Sequence, residues 1–307
     1  MESWPLHGLD DDLRPRMADL VVKGEAFALA TVTAADGGPR GIGAQMVVTG
    51  QESWGFVSGG CIESDVTSHA RAVLVNGGPQ HLVYGQGSPW IDIRLPCGGR
   101  LDLLVERIEP ADTAVGALIT AQSARHPVRY QSDGRRRRCV AIDDSGEGWI
   151  ADAVFTPIQR LIVIGSDPIA LATSALGARM GWESILVWPG APTEQPGMGV
   201  ICRRDNPEAA IRALATDAWT AVAVASHDAD EDARAVCAAL SAAAGYIGVL
   251  GARRRIPERV GRLRATGVAE ADIARIRMPI GLPILAETPW EIAASIVGEI
   301  IAQRRGA

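Results

Sequence analysis

Two cysteines in this sequence sit beside paired glycines. One lies in Ser58-Gly59-Gly60-Cys61-Ile62-Glu63 and the other in Leu95-Pro96-Cys97-Gly98-Gly99-Arg100. The first motif follows an apolar run, Trp54-Gly55-Phe56-Val57, that reads as the end of a strand. It precedes Ile62, Val66, Ala70, Val73 and Leu74, which fall on one face of a helical period. Cys61 is therefore expected where a glycine turn opens into a helix. The first N–H groups of a helix lack intrahelical partners and favour an anion. Such a position also favours the thiolate, the reactive and metal-binding form of cysteine. Gly59 and Gly60 let the backbone approach a ligand closely. Glu63 either orients the Cys61 turn or caps the helix. Gly98 and Gly99 repeat the pattern beside Cys97, and two such turns in one small domain suggest a shared site. The competing reading is that both cysteines are packing residues at tight turns, since free cysteine is among the most buried residue types.

The elements that must position these turns follow from the pattern of apolar residues. Residues 9–24 read as a helix whose acidic start, Asp10, Asp11 and Asp12, suits the helix dipole. Ala26 to Thr33, Ala44 to Thr49, Trp54 to Val57, His81 to Tyr84, Ile91 to Leu95 and Leu101 to Glu106 read as strands. The turn-rich stretch Asp36 to Gly43 carries one arginine, Arg40. A helix over 109–125 and weaker strands over 127–141 and 149–153 complete a first domain, with Pro157 at its boundary. The basic run Arg135 to Arg138 reads as a solvated hairpin after Asp133-Gly134.

The second half changes character. Leu161-Ile162-Val163-Ile164 is fully apolar, as expected of a buried parallel strand. Further strands over 184–188, 221–225 and 246–250 alternate with helices, which predicts a doubly wound sheet. Thr288-Pro289-Trp290-Glu291 starts the last helix with a capping box and a proline at its first position. The predicted class is α/β, with a mixed α/β domain over 1–156 and a Rossmann-like doubly wound parallel sheet over 157–307. A dinucleotide fingerprint belongs at the first strand–turn–helix of this half. Gly165 and Ala170 fit it, but Asp167 replaces the glycine that should touch a pyrophosphate, and a carboxylate there repels one. The next strand ends Trp188-Pro189-Gly190 in place of the acidic residue that holds a ribose. NAD(P) is therefore not expected. Gly165, Asp167, His227, Asp228 and Arg253, all at predicted strand ends, form a candidate site for some other ligand; the alternative is a structural domain.

Composition sets outer bounds. The chain has 307 residues, 47% of them hydrophobic, and a net charge of −6, which gives no basic excess for nucleic acid. Five cysteines without C-x-x-C spacing suit neither a disulfide framework nor a zinc ribbon. The sequence shows no signal peptide and no apolar run long enough to span a membrane, so a cytoplasmic location is expected.

Taken together, the motifs resemble the XdhC/CoxI family, the accessory proteins that mature xanthine dehydrogenase and related molybdenum hydroxylases. The resemblance rests on Gly38-Pro39-Arg40, Gly43-Ala44-Gln45-Met46, Ser58 to Glu63 and Cys97-Gly98-Gly99 in the first half. In the second it rests on Ser226-His227-Asp228, Tyr246 to Arg253, Pro279 to Leu282 and Thr288 to Ala293. It implies a non-catalytic chaperone that binds the molybdenum cofactor (molybdopterin). The chaperone presents its cargo to a cysteine-desulfurase-type sulfurase and delivers it to an apo molybdenum hydroxylase. It also implies a homodimer, with Cys61 as the first contact to cofactor and metal and Cys97 as the second. Gly59, Gly60, Glu63, Arg40, Gly98 and Gly99 line the same site by this reading. The cofactor's phosphate and oxo groups suit helix-start N–H groups and Arg40, and thiolates suit soft metals. The family's more regular Gly-x-Gly-His turn is absent at Gly165-Ser166-Asp167-Pro168. Two other readings remain open at this point: an NAD(P)-dependent oxidoreductase, and a thiol-redox protein using Cys61 and Cys97.

Overall fold

Strand β1 (Phe27–Asp36) is buried over its first six residues because the sheet around it is covered on both faces. Ala28, Ala30 and Val32 point to one face, Phe27 and Leu29 to the other, as the two-residue period of a strand requires. The computed structural model describes residues 6–9, 11–37, 40–88, 95, 98–226 and 228–306. Contacts divide the chain into two units, Met1–Pro157 and Ile158–Ala307.

In the first unit β1 lies at the centre of an antiparallel sheet with order β3-β2-β1-β5-β4. Its partners are β2 (Gln45–Val48), β3 (Ser53–Gly55), β4 (Gln80–Gly85) and β5 (Arg100–Ile108). Helix α2 (Glu63–Asn76) covers one face through Val66, Ala70 and Val73. Helices α1 (Arg14–Lys23) and α3 (Thr113–Ser123) cover the other, with Tyr130 from a second antiparallel sheet. That sheet has order β7-β6-β8, from β6 (Val128–Ser132), β7 (Arg137–Ala141) and β8 (Ala151–Phe155).

Two expectations change here. Helix α1 begins at Arg14, later than expected, and Asp12 accepts from its first backbone N–H at 3.0 Å, in keeping with the dipole. The same carboxylate holds the buried Arg14 side chain at 2.7 Å, while Asp11 pairs with Arg40; Asp10 lies outside the described residues. The Arg135 to Arg138 run is not uniformly solvated. Arg137 turns inward to Glu106, which is fully buried, at 2.7 Å and to Asp112 at 2.7 Å. Glu106 also accepts from Tyr130 (2.9 Å) and Ser132 (2.7 Å), so its charge is both paired and hydrogen-bonded. Burial and the neighbouring Glu106 push the Tyr130 hydroxyl well above its ordinary pKa. The strand expected over 91–95 falls mostly outside the described residues.

The second unit is a parallel sheet of order β11-β10-β9-β12-β13. The strands are β9 (Arg160–Ile164), β10 (Glu183–Val187), β11 (Ile201–Arg203), β12 (Thr220–Val224) and β13 (Tyr246–Val249). Ile162, Ile164, Val222 and Val224 pack against α5 (Pro207–Ala213), α6 (Ala229–Ser241), α7 (Ile256–Ala265) and α8 (Glu270–Arg275). Leu161, Val163, Ala221 and Ala223 pack against α4 (Pro168–Arg179) and α9 (Pro289–Arg305). Helix α9 has the expected capping box, with Thr288 and Glu291 bonded reciprocally, and its Ile296 and Ile300 are core residues. No helix among the described residues is long and apolar enough to cross a membrane.

The Glu106 network predicts a large effect from one truncation. Glu106→Ala leaves Arg137, Tyr130 and Ser132 without their buried acceptor and should cost about 3–5 kcal/mol in urea denaturation. A loss below about 1 kcal/mol, the size of a surface pair, would show that the network does not tie the small sheet to β5.

Candidate functional site

The first sheet brings the predicted residues to one edge. Gly55 pairs with Met46, Asp36 with Arg100, and Arg100 with Gly85. The carboxyl ends of β1, β3 and β4 therefore lie together with the amino ends of β2 and β5. The connections that leave this edge carry Arg40, Cys61, Gly98 and Gly99. Val57 and Ile62, which flank the Cys61 turn, share one buried cluster with Leu95, which precedes the second glycine pair. Cys97, Gly38 and Pro39 lie outside the described residues.

The turn itself is an exposed tripeptide held between buried anchors. Gly59, Gly60 and Cys61 are exposed, while Val57, Ser58 and Ile62 are buried. Gly59 and Gly60 take φ of 152° and 102°, backbone that favours glycine. A Cβ on Gly60 would meet nothing within 4 Å, so the glycine serves conformation and not close packing. Glu63, the first residue of α2, folds its carboxylate back over the turn. It accepts from the N–H of Val57 (3.0 Å) and Ser58 (2.7 Å), from the Ser58 hydroxyl (2.7 Å) and from the N–H of Ile62 (3.3 Å). The Ser58 oxygen in turn accepts from the N–H of Cys61 (3.1 Å) and Ile62 (3.4 Å). Burial alone would raise the Glu63 pKa. The Ser58 hydroxyl and the N–H groups of Ser58 and Val57 outweigh it and hold the carboxyl below its ordinary 4.5.

This arrangement refines the expected anion site. The N–H groups of Cys61 and Ile62 are already occupied by Ser58 and Glu63. Those of Gly59 and Gly60 meet no acceptor among the described residues. Of the two roles the sequence left open for Glu63, the structure shows it orienting the turn; the sequence reading gave Ser58 no role, although its position three residues before Cys61 was the available signal. Arg40 is held by Asp11 and lies 5.1 Å from the centroid of the Phe56 ring, next to the start of the turn. Gly98 takes φ of 70°, and a Cβ on Gly99 would overlap the Asp36 carbonyl, so this pair lets β5 begin tightly against β1. Farther along α2, Asp65 accepts from the buried Tyr84 hydroxyl at 2.6 Å and ties the helix start to β4. The described cysteines, Cys61, Cys139, Cys202 and Cys237, are free thiols, and no cluster of three acidic, His or Cys groups suited to a metal ion occurs among the described residues.

In the second unit the strand order reverses between β9 and β12, the place where open parallel sheets hold ligands. Gly165 and Asp228 are on the two sides of this crevice. A Cβ on Gly165 would lie 2.7 Å from the Ala225 carbonyl oxygen, so the two strand ends approach closely there. Asp167 caps α4 by accepting from the N–H of Ala170 (2.8 Å). Asp228 caps α6 by accepting from Asp230 (2.8 Å) and Glu231 (3.0 Å), bonds that lower its pKa. Carboxylates thus occupy both helix starts at the crevice. Arg253 stands one strand away, after β13, and His227 lies outside the described residues. A buried pair that the sequence did not reveal, Asp232 and Arg259 at 2.9 Å, joins α6 to α7, and Ser226 donates to Asp232 at 2.7 Å. Burial raises the Asp232 pKa despite these partners.

Comparison with known proteins places this geometry. A family model described as the XdhC Rossmann domain matches residues 161–300, and one described as the XdhC and CoxI family matches residues 20–85. The molybdenum cofactor insertion chaperone PaoD of Escherichia coli is 29% identical over 96% of this chain and 90% of its own length. YqeB of Escherichia coli, an uncharacterised protein, is 30% identical over 62% of this chain, which corresponds to 36% of its own length. A crystal structure described as a xanthine dehydrogenase from Bacillus halodurans has the same fold, with a TM-score of 0.73, 22% identity, and coverage of 95% of this chain and 96% of that one.

The Ser58–Glu63 clamp makes a pH prediction. The folded carboxyl titrates below its ordinary 4.5, so its stabilisation is complete above that value and is lost as the pH falls through the folded value. Glu63→Gln should melt on the order of 4 °C below the wild type at pH 7, and the gap should close in acid. A gap of equal size at pH 7 and pH 3 would show that the carboxylate charge does not hold the turn.

Proposed function

Because the chain belongs to the XdhC and CoxI family, we propose that it is a chaperone of the molybdenum cofactor and that the Gly59-Gly60-Cys61 turn contacts the cargo. The observation that carries this reading is the exposed thiol on a pinned turn, beside the two N–H groups of Gly59 and Gly60 that have no acceptor among the described residues. A thiol with no metal-binding cluster around it among the described residues is a poor holder of a bare ion. It suits a metal that brings its other ligands with it, as a pterin-bound molybdenum does. The glycine N–H groups and Arg40 complement the negative charge of such a cargo. Cys97, directly before Gly98-Gly99 in the sequence, is a second contact in this proposal.

The protein's part in this reading is binding and handover, with no bond made or broken by its own residues. Its partners are an apo molybdenum hydroxylase and a sulfurase of the cysteine-desulfurase type, and a homodimer is the proposed assembly. The dinucleotide-dependent oxidoreductase reading finds no support at the β9–β12 crevice. Asp167 fills the helix start that a pyrophosphate would need, and a phosphate beside that carboxylate is repelled.

Retention of cargo tests the proposal. After anaerobic incubation with molybdenum cofactor, the wild type should carry molybdenum through a desalting column, and Cys61→Ala should carry roughly tenfold less while melting at the same temperature. Equal retention by the variant would contradict Cys61 as the contact, and no retention by either would contradict the chaperone role.

A further inference from the structure

The two glycine turns of the first unit meet through one buried side chain. Tyr84, near the end of β4, is 1% exposed. Its ring belongs to the cluster that also holds Val57 and Ile62, on either side of the Cys61 turn, and Leu95. Its hydroxyl donates to Asp65 in the first turn of α2 at 2.6 Å. A phenol this deeply buried needs an acceptor, and Asp65 supplies it. Burial and the bond to Asp65 push the Tyr84 pKa up, so the hydroxyl stays a donor at any ordinary pH.

The backbone of the same stretch holds the second turn. Tyr84 pairs with Leu101, and Gly85 pairs with Arg100, directly after Gly99. A Cβ on Gly85 would overlap the Gly99 carbonyl oxygen, and the Gln86 N–H donates to that oxygen at 3.3 Å. The Gly98 N–H donates to the Leu95 carbonyl at 2.9 Å, which returns the chain to the shared cluster. Other bonds fix the body of α2 but not its start. His69 Nδ1 lies 2.8 Å from Gln80 Oε1, and Arg107 donates to the Leu74 carbonyl near the helix end. At the first turn of the helix, the side-chain bond to a strand among the described residues is the one from Tyr84. The Glu63 carboxylate shapes the Cys61 turn, but its bonds stay within residues 57–63. It does not set where that turn stands relative to the second one.

We infer that Tyr84 is a positioning residue for the cargo contact: it fixes the spacing between the Cys61 turn and the Gly98-Gly99 turn, so that the two turns order together and a ligand settling on one meets the other in place. The cargo half of this inference rests on the proposal that cargo binds at the Cys61 turn; the coupling of the two turns does not.

Tyr84→Phe tests it, because the ring stays in the core and only the hydroxyl is lost. Hydrogen exchange of the full chain without cargo reads the coupling. The N–H groups of Ser58, Cys61 and Gly98 bond to neither Tyr84 nor Asp65. All three should nonetheless exchange roughly fivefold faster in the variant, the loss of one ordinary hydrogen bond. Asp65→Asn keeps an acceptor oxygen for the hydroxyl and should exchange as the wild type does, whereas Asp65→Ala should behave as Tyr84→Phe. Retention on a desalting column reads the cargo contact: Tyr84→Phe should carry roughly fivefold less molybdenum, and Asp65→Asn the wild-type amount. Acceleration that is uniform along the chain, or confined to α2 and β4 with both turns unchanged, would show a purely structural bond and overturn the inference, as would undiminished retention by Tyr84→Phe. If the wild type retains no cargo while both turns respond together, the chaperone reading fails and the coupling stands.

Discussion

The carboxylate of Glu63 is the constraint on which the first unit's exposed edge depends. A Gly-Gly-Cys tripeptide has little conformational preference of its own, and glycine loses more freedom on ordering than any other residue. Left to itself such a turn would sample many shapes. Here one carboxylate collects the N–H groups on both sides of the turn, from Val57 and Ser58 before it and Ile62 after it. Ser58 relays the hold to Cys61. The thiol is thereby displayed in the open without being loose, which lowers the ordering cost of binding. The same clamp limits the site, because two of the N–H groups that a ligand could have used are already occupied.

The second unit applies similar chemistry with different outcomes. Its sheet has the order and switch point of a nucleotide-binding domain, yet Asp167 and Asp228 place negative charge where a pyrophosphate would lie. A fold fixes where a crevice forms, and the residues at its rim decide what it accepts.

Much of this was legible in the sequence for physical reasons. Leu161 to Ile164 reads as a parallel strand because both faces of that sheet are covered, and α9 announces itself through Thr288, Pro289 and Glu291. The spacing of Val66, Ala70 and Val73 gives α2 and so locates Cys61 before its start. What stayed hidden depends on long-range pairing. Glu106 and Arg137 meet across two sheets, and within a four-arginine run nothing marks the one that turns inward. Asp232 and Arg259 look like ordinary surface charges on amphipathic helices until the fold brings them together. Short elements such as α5, α8 and β11 offer too few residues for a period to emerge.

The central claim is that the cargo meets the protein at the pinned glycine–cysteine turn. Hydrogen–deuterium exchange of the full chain, with and without molybdenum cofactor under anaerobic conditions, addresses it directly, because Gly59 and Gly60 expose N–H groups that have no acceptor among the described residues. The account predicts that cofactor slows exchange most strongly in peptides spanning residues 57–63. Unchanged exchange there, with protection elsewhere in the chain, would contradict it.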